Sequence, residues 1–293
     1  GVQTDVVLNG ELKARLSENA TPLSALDEYS FCVYLDKDKY LSRILEGAGM
    51  RLFNSAEAIE VCDDKMTTYL CLQGAGVKIP TTISAPLCYT QNSQPKESFL
   101  DEVESLGYPI VAKKSYGSFG AGVRLAKNRQ ELEEIEREWM YLPHFYQEFV
   151  GEKGRDVRVI VIGKRAVAGM RRVAMEGEFR SNIELGGHGE KIELSKEYVK
   201  VAERVGKSKW EKVKNNELKG FLVRQGVTFV LGVLFSLAGF NNEISPFGVD
   251  LLEGETPIVC EVNSNAFFEG LESVTGVSIA KKYAEYIVSE MEK

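Results

Sequence analysis

The sequence predicts an α/β fold over residues 1–84 and an α+β fold beyond them. Three observations carry this. Apolar runs alternate with helical stretches as far as Lys78; many short strands with few helices follow a polar linker; and the chain closes on a β-hairpin and a helix.

Val6, Val7 and Leu8 form the first apolar run, and Phe31, Val33 and Leu35 alternate as a strand does. From Asp36 to Gly47 the spacing is helical, with Tyr40, Leu41, Ile44 and Leu45 on one face and Gly47 as the stop. Asp63 or Asp64 can cap a helix running to about Gln73, which Gly74 and Gly76 end, and Lys78-Ile79-Pro80 begins an extended segment. Ser, Thr, Pro and Gln crowd Thr81 to Lys96, so a linker is expected there, with a boundary near residue 85. Phe99, Val103 and Leu106 keep helical spacing, Tyr108 to Lys113 reads as a strand, and a glycine-rich turn leads into Val123 to Ala126. The next helix turns Leu132, Ile135 and Trp139 inward. Val157 to Ile162 is a strand that returns to Met170 through the turn Gly163-Lys164. Gly248 to Leu252 and Pro257 to Asn263 form a hairpin around Gly254, and a helix starts near Ser278. The expected division is an N-terminal unit over 1–84, a central unit over 85–150 and a C-terminal unit over 151–293.

Of 293 residues, 36 are Lys or Arg and 43 are Asp or Glu, a net charge of −7 with no basic block, which excludes a surface built to wrap nucleic acid. Five cysteines without a CxxC pair, beside only two histidines, offer no Cys/His zinc site and suit a reducing cytoplasm. No charged-then-apolar leader precedes the first apolar run, so no secretion signal is expected. Gly220 to Phe240 is almost wholly apolar, but Arg224 and Gln225 leave only fourteen uninterrupted residues, short of the roughly 20 a membrane span needs. Burial in the core or in a homo-oligomeric interface is expected there, with a membrane-associated hairpin as the alternative.

The loop Gly117-Ser118-Phe119-Gly120-Ala121-Gly122 opens onto a strand, whereas a dinucleotide fingerprint must open a helix. It suits either a plain tight turn or a flap over phosphates, where glycines let backbone amides approach oxygen without a Cβ in the way. Lys113, on the strand before the loop, could reach the same phosphates or could be a solvated strand lysine. Lys65 stands in the first turn of its helix, where the macrodipole disfavours a cation, so a bound phosphate or the neighbouring Asp63 and Asp64 must compensate it. In the last hairpin, period two puts Glu261 and Asn263 on one face, with Cys260 and Val262 on the other. A turn centred between Glu255 and Thr256 sets Asp250 across from Glu261. Facing carboxylates repel, so a cation between them or a raised pKa is expected, unless the strand face is simply solvated. All-oxygen ligands favour Mg²⁺. Arg158, Arg171, Arg172 and Arg180 cluster in sequence, a pattern suited to phosphate or carboxylate. His144 and His188 have no partnered nucleophile, so no triad is assigned.

In this order the motifs DKMTTYLCLQGAGVKIP, YPIVAKKSYGSFGAGV, QEFVGEKGRDVRVIVIG, MRRVAMEGEFRSN, GVDLL and CEVNSNAFFEGLESVTGVSIA resemble the ATP-grasp superfamily, most closely its RimK-type carboxylate–amine ligases. The resemblance covers about residues 60 to 290 and implies an ATP-grasp fold with a partial N-terminal α/β domain. It implies that Lys65 and Lys113 hold ATP phosphates under a flap of Gly117, Ser118, Phe119, Gly120 and Gly122. By the same resemblance Glu148, Phe149 and Val150 would read adenine, Asp156 would contact the nucleotide and Arg158 a phosphate. Arg180, Ser181 and Asn182 would serve the nucleotide and acyl-phosphate side. Asp250, Glu261 and Asn263 would bind two Mg²⁺, with Mn²⁺ as substitute. Lys113, Arg158, Arg180 and Asn182 would be catalytic. Set against the family, the chain is expected to start inside its first domain; it carries about forty extra residues around 206–246, and SNAFFEG follows Asn263. The expected activity is ADP-forming ligation of glutamate or a related amino acid to a small-molecule or protein carboxylate. An ATP-grasp kinase and a degenerate nucleotide-binding or assembly module are the alternatives.

Overall fold

The computed structural model describes residues 2–8, 10–12, 26, 28–90, 92–207, 246–254 and 256–293. The apolar stretch Gly220 to Phe240, and most of the extra segment around it, lies outside the described residues.

Strands β1 (Cys32–Val33) and β2 (Leu52–Phe53) pair in parallel. A parallel pair needs a crossover, and α1 (Lys39–Gly47) supplies it, capped by Asp38, whose side chain accepts from the Tyr40 and Leu41 amides. Leu41 and Leu45 pack with Tyr34, Met50, Leu52 and Ile59. Tyr40, expected on that face, is 72% exposed, because the 100° step from Leu41 carries it off the apolar stripe. Val6, Val7 and Leu8 lie exposed and in no strand, since no described strand stands beside them to pair with. Ser55 caps α2 (Ala56–Asp63) and Asp64 caps α3 (Lys65–Leu72), so the second of the two expected caps is the one used.

The middle sheet is antiparallel, in the order β3 (Thr82–Ser84), β6 (His144–Glu148), β4 (Ile110–Lys114), β5 (Val123–Ala126). Strand β3 falls within the segment expected as a linker: Thr82 to Ser84 finds its partner on β6, about sixty residues away, where local composition cannot point. Helices α4 (Glu97–Glu104) and α5 (Arg129–Trp139) cover one face. Period two in β4 sends Ile110 and Ala112 into that core, with Leu100, Leu132, Trp139 and Tyr146, and leaves Val111 and Lys113 on the opposite face. His144 lies inside this unit, where its Nε2 and the Tyr146 hydroxyl both meet Glu136 Oε2 at 2.8 Å, an internal network with no nucleophile.

The C-terminal sheet runs β11 (Ile258–Asn263), β10 (Phe247–Leu252), β7 (Arg155–Ile162), β8 (Arg165–Val173), β9 (His188–Lys191), all antiparallel. Alternation again divides its faces. Val157, Val159 and Val161 of β7 and Phe247, Val249 and Leu251 of β10 bury against α2, α3 and α6 (Lys196–Gly206), each contributing roughly 1.5–3 kcal/mol. Ile160, Ile162 and Met170 turn the other way, onto α7 (Glu269–Thr275) and α8 (Ile279–Met291). Further along that second face stand Asp156, Arg158 and Asp250, and they face the middle sheet across a cleft.

Candidate active site

The cleft between the two sheets has a volume of about 980 Å³, part of it open to solvent. Lys113 is a buried cation in its lining. It is 8% exposed, donates to Cys260 Sγ at 3.6 Å and lies 6.0 Å from the Tyr69 ring centroid. It makes no ion pair with any described carboxylate. Burial pulls its pKa down, but Cys260, Tyr69 and Glu261 outweigh that and hold it above the ordinary value, so the ammonium stays charged at neutral pH. The Tyr69 hydroxyl donates to the Cys260 carbonyl, which ties α3 to β11 behind the lysine.

Lys65, the first residue of α3, reaches both walls. Its Nζ donates to the Gly117 carbonyl at 2.6 Å and stands 3.4 Å from Glu261 Oε1. Asp63 and Asp64, expected to compensate it, are engaged elsewhere. Asp63 pairs with Lys37 at 3.6 Å; Asp64 caps the helix and accepts from the Tyr116 hydroxyl. The glycine loop lies above, with Gly117 at φ 129° and Gly120 at φ 72°, conformations that need glycine. A Cβ on Gly120 would come within 3.1 Å of Asn182 Oδ1 and 3.2 Å of Arg180 Cδ, so the loop is in contact there with the segment that joins β8 to β9. Arg180 donates to the Gly120 carbonyl at 2.8 Å and pairs with Glu178, whose pKa it draws down to about 2.

The opposite wall is a buried charge cluster. Arg158 grips Asp250 with two bonds of 2.7 and 2.8 Å; Arg172 grips Asp156 with bonds of 2.7 and 2.5 Å and reaches Asp250 at 2.8 Å. The Ser181 hydroxyl also donates to Asp156. Burial raises the Asp250 carboxyl, but the two guanidiniums more than offset it and hold the pKa at about 2. The register sets Asp250 directly across from Glu261, as the hairpin spacing predicts. The expected repulsion between them is absent, since Asp250 is neutralised by arginines from β7 and β8 and Glu261 by Lys65. A β-bulge follows Asp250, with Cys260 the extra residue on β11. It brings Cys260 to the cleft beside Glu261, whereas strict alternation puts it on the far face.

Most of the expected residues thus meet in one place: Lys65, Lys113, Gly117, Ser118, Gly120, Gly122, Phe149, Val150, Asp156, Arg180, Ser181, Asn182, Asp250 and Glu261 all line the cleft. Glu148 lines it too, but its Oε1 is taken up by the amide and hydroxyl of Thr81, at 2.7 and 2.9 Å. Three others stand apart. Phe119 turns outward, Arg158 lies behind Asp250, and Asn263 contacts the cleft through a 3.4 Å bond to Asp250. Arg172, Tyr69 and Cys260 were not assigned to the site from sequence. Arg172 carried a signal: counting back from the turn Gly163-Lys164 along alternating strands brings Asp156 opposite that part of β8.

Whether these residues fit Mg²⁺ turns on the donor set. Asp250 is ionised, Glu261 faces it in register, and Asn263 adds an amide, so every donor is a hard oxygen. Among the described residues no three His, Cys, Asp or Glu side chains group into a metal cage. Two carboxylates and an amide fit an ion that completes its shell with water and phosphate, which is how Mg²⁺ binds in nucleotide sites.

Comparison with known proteins agrees with this geometry. Residues 62–213 match the model of the RimK-like ATP-grasp domain. The chain is 31% identical over 261 residues to beta-citrylglutamate synthase B of Danio rerio, covering 88% of this chain and 55% of that protein, so it spans a little over half of that relative's length. It is 30% identical over 262 residues to glutamate–LysW ligase ArgX of Sulfurisphaera tokodaii, covering 87% of this chain and 78% of that one. The fold is shared with the ATP-grasp ligase PsnB complexed with a phosphomimetic variant of minimal precursor, Mg and ADP, at a TM-score of 0.54 and 20% identity over 86% of this chain and 67% of that one. The chain belongs to the RimK-like ATP-grasp family.

Proposed function

We propose that this protein is an ADP-forming ligase that joins an amine to a carboxylate through an acyl phosphate. The observation that carries it is Lys113, a buried ammonium in ion-pair contact with no described carboxylate, aimed into a cleft that Asp250 and Glu261 also line. A polyphosphate there would meet the lysine directly, and Asp250 and Glu261 would hold the Mg²⁺ that accompanies it. In this reading the site takes two ions, with Mn²⁺ as a substitute. Relatives that are a beta-citrylglutamate synthase and a glutamate–LysW ligase support glutamate as the amine, and a carboxylate on a small molecule or a protein as acceptor.

Lys113 holds the terminal phosphates from β4, and its fixed charge meets the charge that develops on the transferring group. The flap amides close from above, and Lys65 exchanges its contact with the Gly117 carbonyl for phosphate oxygen. Arg158 and Arg172 fix both oxygens of Asp250, so the carboxylate enters the reaction already oriented. Bound Mg²⁺ would neutralise the terminal phosphates and polarise the group in transfer. The substrate carboxylate attacks the γ-phosphorus, the bond to ADP breaks, and an acyl phosphate forms beside Arg180 and Asn182. The amine then attacks the acyl carbon, releases phosphate and loses a proton, leaving an amide.

Five free cysteines suit a reducing cytoplasm, and a homo-oligomer is the proposed use of the apolar segment Gly220 to Phe240. Among the described residues no helix is long and apolar enough to cross a membrane. ADP release tests the reading: with ATP, Mg²⁺, glutamate and a panel of carboxylates, it should require amine and acceptor together. Release unchanged by any amine, with phosphate left on a hydroxyl, would point to the kinase; absence of release with every pair would point to the assembly module.

A further inference from the structure

At the mouth of the cleft, Phe119 from the tip of the glycine loop stacks on Phe267 from the loop after Asn263, with centroids 6.2 Å apart and planes 23° apart. The rings are 51% and 71% exposed, so neither is held there by a core. Phe119 sits at φ 58°, a left-handed conformation that a bulky side chain rarely adopts, and the loop maintains it between Gly117 and Gly120. Phe267 is carried on a firm base. Asn265 donates to the Asp36 carbonyl at 2.7 Å, and Ala266 packs so closely on β10 that a Cβ on Gly248 would come within 2.7 Å of it.

Three other contacts tie the loop down: Lys65 to the Gly117 carbonyl, Arg180 to the Gly120 carbonyl and Lys37 to the Ser118 hydroxyl at 3.2 Å. In the proposed reaction Lys65 and Arg180 turn to nucleotide or acyl phosphate and release their carbonyls. The aromatic pair uses no group that a phosphate needs, so it survives nucleotide binding.

We infer that Phe119 and Phe267 form a latch that keeps the flap shut over bound nucleotide, with Phe267 a positioning residue that acts through the flap. The inference rests on the nucleotide reading of the cleft. The test is a double-mutant cycle on the release of a fluorescent N-methylanthraniloyl ADP, bound with Mg²⁺ and chased with ATP in a stopped-flow mixer. Phe119→Ala and Phe267→Ala should each speed release about two- to twelvefold, the range a stacked pair supplies. The double variant should be no faster than the faster single one. Phe267→Tyr should keep the slow release, and the melting temperature without nucleotide should not move in any of them. Effects that multiply in the double variant, or unchanged release in both single ones, would overturn the latch while leaving the nucleotide site standing. A wild-type chain that does not hold the probe overturns the nucleotide reading and the latch with it.

Discussion

Replacing Asp250 with Asn should destabilise the metal-free protein. The buried cluster holds Arg158 and Arg172 against Asp156 and Asp250, two charges of each sign, and Asn leaves one guanidinium uncompensated. A carboxyl held from 3.8 down to about 2 corresponds to about 2–3 kcal/mol at neutral pH. For a chain of this size that is a fall of about 3–5 °C in melting temperature. The sign in pH follows from the depressed folded value: the contribution is complete above about pH 3.8 and is lost as pH falls toward 2. The gap between variant and wild type should therefore stay constant from about pH 5 to 8 and close in acid. Melting followed by circular dichroism in a chelator, across that range, measures it. A variant that melts at or above wild type in metal-free buffer would refute the charge pairing and restore the repulsion between Asp250 and Glu261 that strand spacing alone predicts.

Glu261→Gln should act in the opposite way. The carboxylate is partly exposed and among the described residues its ion pair is with Lys65, so stability should move by less than about 1 kcal/mol while Mg²⁺-dependent turnover is largely lost, as a Mg²⁺ titration of rate would show. Lys113→Ala should cut kcat about 10²- to 10³-fold in a steady-state assay of ADP formation, because among the described residues no second buried lysine replaces it. Gly120→Ala forces a side chain into φ 72° against Asn182 and Arg180; it should cost the flap about 1–2 kcal/mol and weaken nucleotide binding measured by calorimetry. Glu178 and Asp250 both sit at about 2, below their ordinary values, so stability in urea should decline as pH falls from about 4.5 toward 2.

What the sequence revealed, and what it hid, follows from how far apart the partners lie. The Asp64 cap, the glycine loop and the pairing of Asp250 with Glu261 are written in stretches of fewer than about fifteen residues, where turn chemistry and alternation act directly. The arginines on Asp250 are not, since Arg158 lies 92 residues away and β10 must settle beside β7 before they meet. Two bulges account for the rest. A strict count from the turn Gly163-Lys164 puts Asp156 opposite Arg171, and the irregularity between Ile160 and Val161 moves the partner to Arg172. The bulge after Asp250 likewise turns Cys260 into the cleft against the period-two expectation. Tyr40 shows the same limit in a helix: its apolar ring alone does not say which side of the stripe it takes.

The central claim is that the carboxylate is activated by phosphorylation, and one isotope measurement tests it. The acceptor carboxylate is labelled with oxygen-18 and supplied with ATP, Mg²⁺ and glutamate, and the products are separated and weighed by mass spectrometry. Transfer to an acyl phosphate followed by amine attack carries one labelled oxygen into inorganic phosphate, in equal amount with ADP and amide. Label found in AMP, with pyrophosphate as the other product, would contradict the account.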